Sequence, residues 1–320
     1  MRVPGGAHLP QGPRKAPGRA GPQPDPVLSA GRRSRPRRPG VPPIGAHVSV
    51  AGGPVAAWER AVKLGAEAAQ VFPGSPRTWE SPWPGEEELA RAAEAFRASG
   101  IPVVVHAIYL VNPASGDPEV RRKSVGALAR GLAYAAGLGA LGLVVHVGHA
   151  KDADRPTALE RVRETLERAR EGAGVAVPYL LETGAGTRGS VGSRLEDLVA
   201  LVRALGPGTR ICADTAHLFA AGVPTHTAEG LDGWLAAVER DLGPGAVGLV
   251  HLNDSSTPFA SGRDRHENLG QGEIGGRALA RWVRHPALRT VPFVIETPGF
   301  DRQGPDRKNL ARARRYRRGR

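Results

Sequence analysis

Short apolar runs recur eight times between residues 44 and 296. They are Ile44–His47, Ala68–Phe72, Val103–His106, Leu143–His146, Tyr179–Glu182, Ile211–Asp214, Gly248–His251 and Phe293–Glu296. Runs this short, carrying Val, Leu and Ile without alternation, suit strands buried on both faces. The segments between them place apolar residues three and four apart, at residues 85–99, 120–138, 158–172, 194–205, 231–242 and 277–283. That spacing predicts amphipathic helices. Eight strand–helix units over about 250 residues predict an α/β fold of the TIM (β/α)8 barrel type, as one domain over residues 44–300. A doubly wound open sheet is the rival. It would carry a Gly-rich phosphate loop after its first strand, and none is present.

Composition narrows the picture. Hydrophobic residues make up 40% of the 320 and aromatics only 5%, so the core has to be built from Val, Leu, Ile and Ala. No apolar stretch approaches the roughly 18 residues of a membrane span, and the start lacks the apolar core of a secretory signal. A single cysteine, Cys212, excludes an internal disulfide framework. A monomeric, cytoplasmic protein with no membrane partner is expected.

The net charge of +13 is concentrated at the two ends. Residues 1–43 hold nine Lys/Arg against Asp25, and residues 301–320 hold nine against Asp301 and Asp306, which leaves −2 for the 257 residues between. The first segment, crowded with Pro, Gly and Arg, is expected to be a disordered basic extension. A targeting peptide or an early start codon are the other readings of it. Residues 301–320 are expected to be a basic C-terminal tail, with a final helix from Ala311 as the variant reading. Basic tails commonly bind nucleic acid, but they say nothing about what the central domain binds.

The candidate chemistry lies where the runs stop. Seven of the eight end on His, Asp or Glu: His47, His106, His146, Glu182, Asp214, His251 and Glu296. These residue types occupy 41 of 320 positions, so chance supplies about one in eight. The C-terminal strand ends of a TIM barrel converge on one face, where its active sites are built. Imidazoles mixed with carboxylates suit Zn²⁺, or Mn²⁺ and Fe²⁺, whereas carboxylates alone would suit Mg²⁺. Two flanking motifs add donors. Asp214-Thr-Ala-His217 puts a second ligand on the opening turn of the next helix, and Asp264-Arg-His266 offers two side chains from one loop.

With these motifs in view, the chain resembles the endonuclease IV family of abasic-site endonucleases over about Ile44 to Glu296. The resemblance rests on Ile44-Gly-Ala-His-Val-Ser49 with Ala51-Gly-Gly53, on Tyr109-Leu-Val-Asn112, and on Asp214-Thr-Ala-His-Leu-Phe-Ala-Ala-Gly222. It continues in His251-Leu-Asn-Asp254, Asp264-Arg-His266, Leu269-Gly270, Ile274-Gly275 and Glu296-Thr297. It implies three Zn²⁺ per chain, with Mn²⁺ as a substitute. His106, His146 and Glu182 would hold the first. Glu182, Asp214, His251 and Glu296 would hold the second. His217, Asp264 and His266 would hold the third. Glu182, His106 and Glu296 would be central to catalysis, and His47 would orient a ligand from outside the set. Two ions about 3.5–4 Å apart clamp the attacking and leaving oxygens of a phosphodiester.

The implied reaction is hydrolysis 5′ to an abasic site in double-stranded DNA, leaving a 3′-hydroxyl and a 5′-deoxyribose phosphate, a step of base excision repair. Arg77, Tyr109 and Leu110 match the residues that enter the minor groove in the family. Three stretches depart from the family pattern: Pro73-Gly-Ser-Pro76, Val147-Gly-His149 and Thr183-Gly184. Two other functions compete. A metal-dependent sugar isomerase or epimerase of the related barrel group would not need His217, Asp264 and His266. A non-catalytic nucleic-acid-binding protein would rely on the basic ends.

Overall fold

A computed structural model describes residues 40–319, and the structural statements below concern those residues. Eight parallel strands close into a barrel in the order β1-β10-β7-β6-β5-β4-β3-β2. In chain order they are β1 (Ile44–His47), β2 (Ala69–Val71), β3 (Val103–His106), β4 (Leu143–His146), β5 (Tyr179–Glu182), β6 (Arg210–Asp214), β7 (Val247–His251) and β10 (Phe293–Ile295). The predicted TIM barrel is therefore the observed fold. The outer layer is α1 (Pro54–Leu64), α2 (Glu86–Ser99), α3 (Pro118–Leu138), α4 (Arg155–Ala173), α5 (Leu195–Leu205), α6 (Thr215–Ala220), α7 (Ala228–Leu242), α8 (Gly275–Arg284) and α9 (Arg307–Arg318). Between β7 and α8 lies a small antiparallel hairpin, β8 (Asp254–Ser255) with β9 (His266–Glu267). No helix among the described residues is long and apolar enough to cross a membrane.

Because strand side chains alternate between faces, each barrel strand divides its residues between two cores. Residues such as Val103, Val105, Val145, Leu181 and Ile295 belong to the large cluster shared with the helices. The intervening positions form a separate cluster of Ala68, Val104, Val144, Leu180, Cys212, Leu249 and Val294, which plugs the barrel. Each of these lies two residues before Gln70, His106, His146, Glu182, Asp214, His251 and Glu296 in turn. One more step of the strand period therefore carries the next inward side chain to the C-terminal mouth. At β1 the same step runs from Gly45 to His47. A Cβ at Gly45 would sit 1.7 Å from the Ala68 carbonyl oxygen, so close packing of β1 on β2 requires glycine there.

Two boundaries differ from expectation. The C-terminal residues are not a tail. Residues 307–318 form α9, with Asn309, Leu310 and Ala313 fully buried and Asp306 capping its first turn through the Asn309 amide. Leu310 and Ala313 share one helix face at i, i+3, and the basic residues around them hid that stripe. Several arginines are spent on the fold: Arg312 donates to the Leu269 carbonyl at 2.6 Å and Arg317 to the Pro42 carbonyl at 2.8 Å. At the other end, Pro42 and Pro43 are buried, and the Phe293 amide donates to the Pro43 carbonyl. The domain thus begins before residue 44. The expectation for residues 1–39 lies outside the described residues.

Candidate metal centre

Nine side chains converge at the C-terminal mouth of the barrel. Eight of them fall into three groups whose ligand atoms lie within 4.8 Å of one another: His106, His146 and Glu182; Glu182, Asp214, His251 and Glu296; and Asp214, His217 and His266. Glu182 stands in two of them. Its Oε2 faces His106 Nε2 at 3.2 Å and His146 Nε2 at 3.3 Å, while its Oε1 faces His251 Nδ1 at 3.0 Å. Asp264 flanks the third group, 3.1 Å from His217 Nε2 and 3.2 Å from His266 Nε2. An oxygen of Asp214 also falls within that group, which the sequence did not indicate.

The register of the sheet makes this convergence unavoidable. His146 pairs directly with Glu182 across β4–β5, and Asp214 with His251 across β6–β7. His217 is on the first turn of α6, where Asp214 also caps the helix through the amides of Ala216 and His217. Asp264 and His266 arrive on the β8–β9 hairpin, and Asp254 of β8 holds the turn that follows β9. That buried carboxylate accepts from the amides of Gly270 (2.8 Å), Gly272 (3.2 Å), Ile274 (3.0 Å) and Gly275 (3.2 Å).

Hydrogen bonds behind the cluster orient the rings. His106 Nδ1 donates to the Ala107 carbonyl at 2.6 Å, and His217 Nδ1 to the Thr183 carbonyl at 2.8 Å. Each bond turns Nε2 toward the cluster, where the neutral ring can offer its lone pair to a cation. Asn253 donates to Asp214 Oδ2 and accepts from the Glu296 amide, both at 2.8 Å. Thr183 Oγ1 accepts from the Asp214 amide at 2.9 Å. Gln70 and Thr183 had no signal among the ionisable residues.

The electrostatics suit cations. Burial alone would drive these groups neutral. Instead the imidazoles of His146 and His251 hold Glu182 well below the ordinary carboxylate range, and His251 and His47 do the same for Glu296. Burial lowers His266, but Asp214 and Asp264 outweigh it and bring the ring up to about 9. The carboxylates thus draw positive charge from every direction. Asp264 Oδ1 is buried without a well-aligned hydrogen-bond donor, His266 Nε2 lying 3.2 Å away. Five imidazoles and four carboxylates are a donor set for zinc-like ions, and divalent cations would supply the charge and satisfy that oxygen. Cys212 belongs to the barrel plug beneath the ligands, and burial pushes its thiol up to about 12.

The cluster opens into a cleft of about 2040 Å³. Tyr109 lines it and is 60% exposed, its ring against Phe72 at 5.1 Å. The Tyr109 amide donates to the Pro76 carbonyl, which joins the loop after β3 to the loop after β2 beside the exposed Arg77. Leu110 instead packs, partly buried, against the core. His47 is tied by its Nδ1 to Gln70 Nε2 at 2.9 Å, with Glu296 Oε1 at 3.3 Å.

The fold and this mouth define a xylose isomerase-like TIM barrel, and the sequence profile of that family matches residues 58–318. Within it the chain belongs to the endonuclease IV family. A Methanoculleus marisnigri protein named "Probable endonuclease 4" is 42% identical over 277 residues, spanning 85% of this chain and 97% of that protein. A protein of the same name from Streptomyces coelicolor is 40% identical, spanning 80% and 90%. The crystal structure of endonuclease IV from Thermus thermophilus superposes with a TM-score of 0.76 at 37% identity, covering 87% of this chain and all of that one. A D-tagatose 3-epimerase-like protein, 20% identical with a TM-score of 0.61, shares the barrel.

Proposed function

We propose that the chain is a zinc-dependent apurinic/apyrimidinic endonuclease. It hydrolyses the phosphodiester 5′ to an abasic site in duplex DNA, leaving a 3′-hydroxyl and a 5′-deoxyribose phosphate. One observation carries the reading: nine His, Asp and Glu side chains form three adjoining ligand groups, with Asp264 completing the third. His106, His146 and Glu182 would hold one ion. Glu182, Asp214, His251 and Glu296 would hold a second, and His217, Asp264 and His266 a third. When bound, zinc polarises phosphoryl oxygens and makes water acidic enough to ionise near neutral pH.

The chain's own residues do the rest. The bonds from His106 and His217 to backbone carbonyls fix where their lone pairs point, and Glu182 ties two ligand groups together. Tyr109 stands at the cleft as an exposed ring, with Arg77 on the neighbouring loop, and would fill the gap left by a displaced nucleotide. An abasic nucleotide has no base to unstack, so it is the cheapest to extrude. The cleft is larger than the ~300–1,000 Å³ of a typical small-molecule pocket, which favours a polymer over a single sugar. Arg60, Lys63, Arg265, Arg302, Arg307 and Lys308 line it and would meet phosphates. The third ligand group likewise speaks against a sugar isomerase.

A duplex carrying one abasic-site analogue tests the proposal. With Zn²⁺ or Mn²⁺ supplied, the strand is nicked on the 5′ side of the lesion and the new end primes a polymerase. An intact strand, or an end that cannot be extended, would rule the activity out.

A further inference from the structure

Seven strands present an ionisable side chain at the barrel mouth, and β2 presents a neutral amide. Gln70 is fully buried, two residues beyond the plug residue Ala68 and therefore in the same inward row as the ligands. Its polar atoms are all engaged. Nε2 donates to Glu296 Oε1 at 2.6 Å and reaches His47 Nδ1 at 2.9 Å, and Oε1 faces His251 Nε2 at 2.8 Å.

The orientation of this amide follows from chemistry. A carboxylate oxygen only accepts, so the atom facing Glu296 Oε1 must be the NH₂ group. The carbonyl oxygen is then the atom facing His251 Nε2, and that nitrogen must carry a proton. The opposite nitrogen, Nδ1, faces Glu182 Oε1 (3.0 Å), Glu296 Oε2 (3.3 Å) and Asp214 Oδ2 (3.7 Å), and in the neutral ring it is the nitrogen that can offer a lone pair to a cation. The same amide nitrogen lies 2.9 Å from His47 Nδ1, whose other neighbour is Glu296 Oε1 at 3.3 Å.

We infer that Gln70 is a positioning residue for the ion held by Glu182, Asp214, His251 and Glu296, selecting the His251 tautomer that can ligate and steering Glu296 with the same amide. This rests on the metal-dependent reading above. Backbone carbonyls perform this task for His106 and His217. His251 has no such carbonyl on Nε2, and a side chain from β2 replaces it. Partners of this kind typically contribute 10–100-fold to metal affinity.

Two substitutions of the full chain separate positioning from packing. Gln70→Met keeps length and apolar bulk but removes every hydrogen bond. Gln70→Glu can still accept from His251 Nε2 but cannot donate. Metal per chain is measured against graded chelator, and the His251 ring nitrogens are read from long-range ¹H–¹⁵N spectra. In Gln70→Met one ion leaves at a chelator concentration about 10–100-fold below that of the parent, and the Nε2–H signature of His251 is lost. In Gln70→Glu that signature is retained. A purely structural role predicts the reverse, with Met parent-like and the buried Glu disruptive. A Met variant holding its metal within about twofold of the parent, with unchanged His251 signals, overturns the inference. Should Gln70→Met fail to fold, loss of the His251 signature in Gln70→Glu overturns it equally. A parent that binds no metal overturns the metal-dependent reading itself, whereas a metal-loaded parent matched by its Met variant overturns only the role of Gln70.

Discussion

Glu182 carries more of the site than any other residue. It is 1% exposed, and its two oxygens face imidazoles from β3, β4 and β7. A carboxylate buried so deeply is tolerated only with positive charge on both sides. Glu182→Gln keeps the shape but replaces one oxygen with an amide that cannot ligate. Cleavage of an abasic duplex is expected to fall by more than about 100-fold, beyond what losing an outer partner costs. The circular dichroism spectrum should stay native, and elemental analysis should find less metal per chain. Full activity would remove Glu182 from the mechanism. Glu182 was legible in the sequence because an acid closing the run Tyr-Leu-Leu-Glu has no business in an apolar strand unless it serves a site. Gln70 was hidden for the opposite reason. A neutral amide attracts no notice, and Phe72 made the run seem to continue, although counting by twos from Ala68 lands on Gln70. The hydrogen bonds that make it matter come from residues 226 and 181 positions away in the chain.

At the scale of elements, the strands were the readable part because each is a pure apolar run, and their observed bounds shift by only a residue or two. Helix α9 was masked by its charge: in Arg307–Arg318 the polar side chains far outnumber the stripe of Leu310 and Ala313. What anchors it is tertiary. Glu67, before β2, receives Arg317 Nη2 at 3.0 Å and the Ile44 amide at 3.1 Å, with Arg314 Nε at 3.3 Å. Burial would raise the Glu67 carboxyl, but the Arg317 hydrogen bonds and charge outweigh it and hold the group below its ordinary value of 4.5. A depressed folded-state value means stability that is present above pH 4.5 and lost as pH falls through the folded value. The melting temperature of Glu67→Gln should therefore lie below that of the parent near neutral pH. The gap should close on acidification below pH 4.5. A gap that persists unchanged at low pH would show that Glu67 acts by packing rather than charge.

For the whole molecule, the decisive question is where its positive charge meets DNA. The total of +13 suggested two basic ends and a neutral body. Folding changes that division, because α9 and the loop before it belong to the barrel, and Arg302, Arg307 and Lys308 line the cleft with Arg60 and Lys63. Two separate contributions to DNA affinity are predicted, one local to the cleft and one from the nine Lys/Arg of residues 1–39. Each phosphate contact contributes about 0.9 to the slope of log affinity against log salt. Arg302 and Lys308 are exposed and make no contact with the proposed ligands, so replacing both with alanine should lower the slope by about 1.8 while leaving the cleavage rate at saturating DNA nearly unchanged. Deleting residues 1–39 should weaken binding to undamaged and abasic duplex alike, most strongly at low salt, again with the saturated rate preserved. Pro42 and Pro43 must stay, since the Pro43 carbonyl takes the Phe293 amide at the barrel seam. The two variants differ in one respect that filter binding across a salt series would reveal. Charge in the cleft acts where the lesion sits, so the Arg302/Lys308 change should cost more affinity for abasic DNA than for intact duplex. An equal loss on both would place the DNA track elsewhere on the surface.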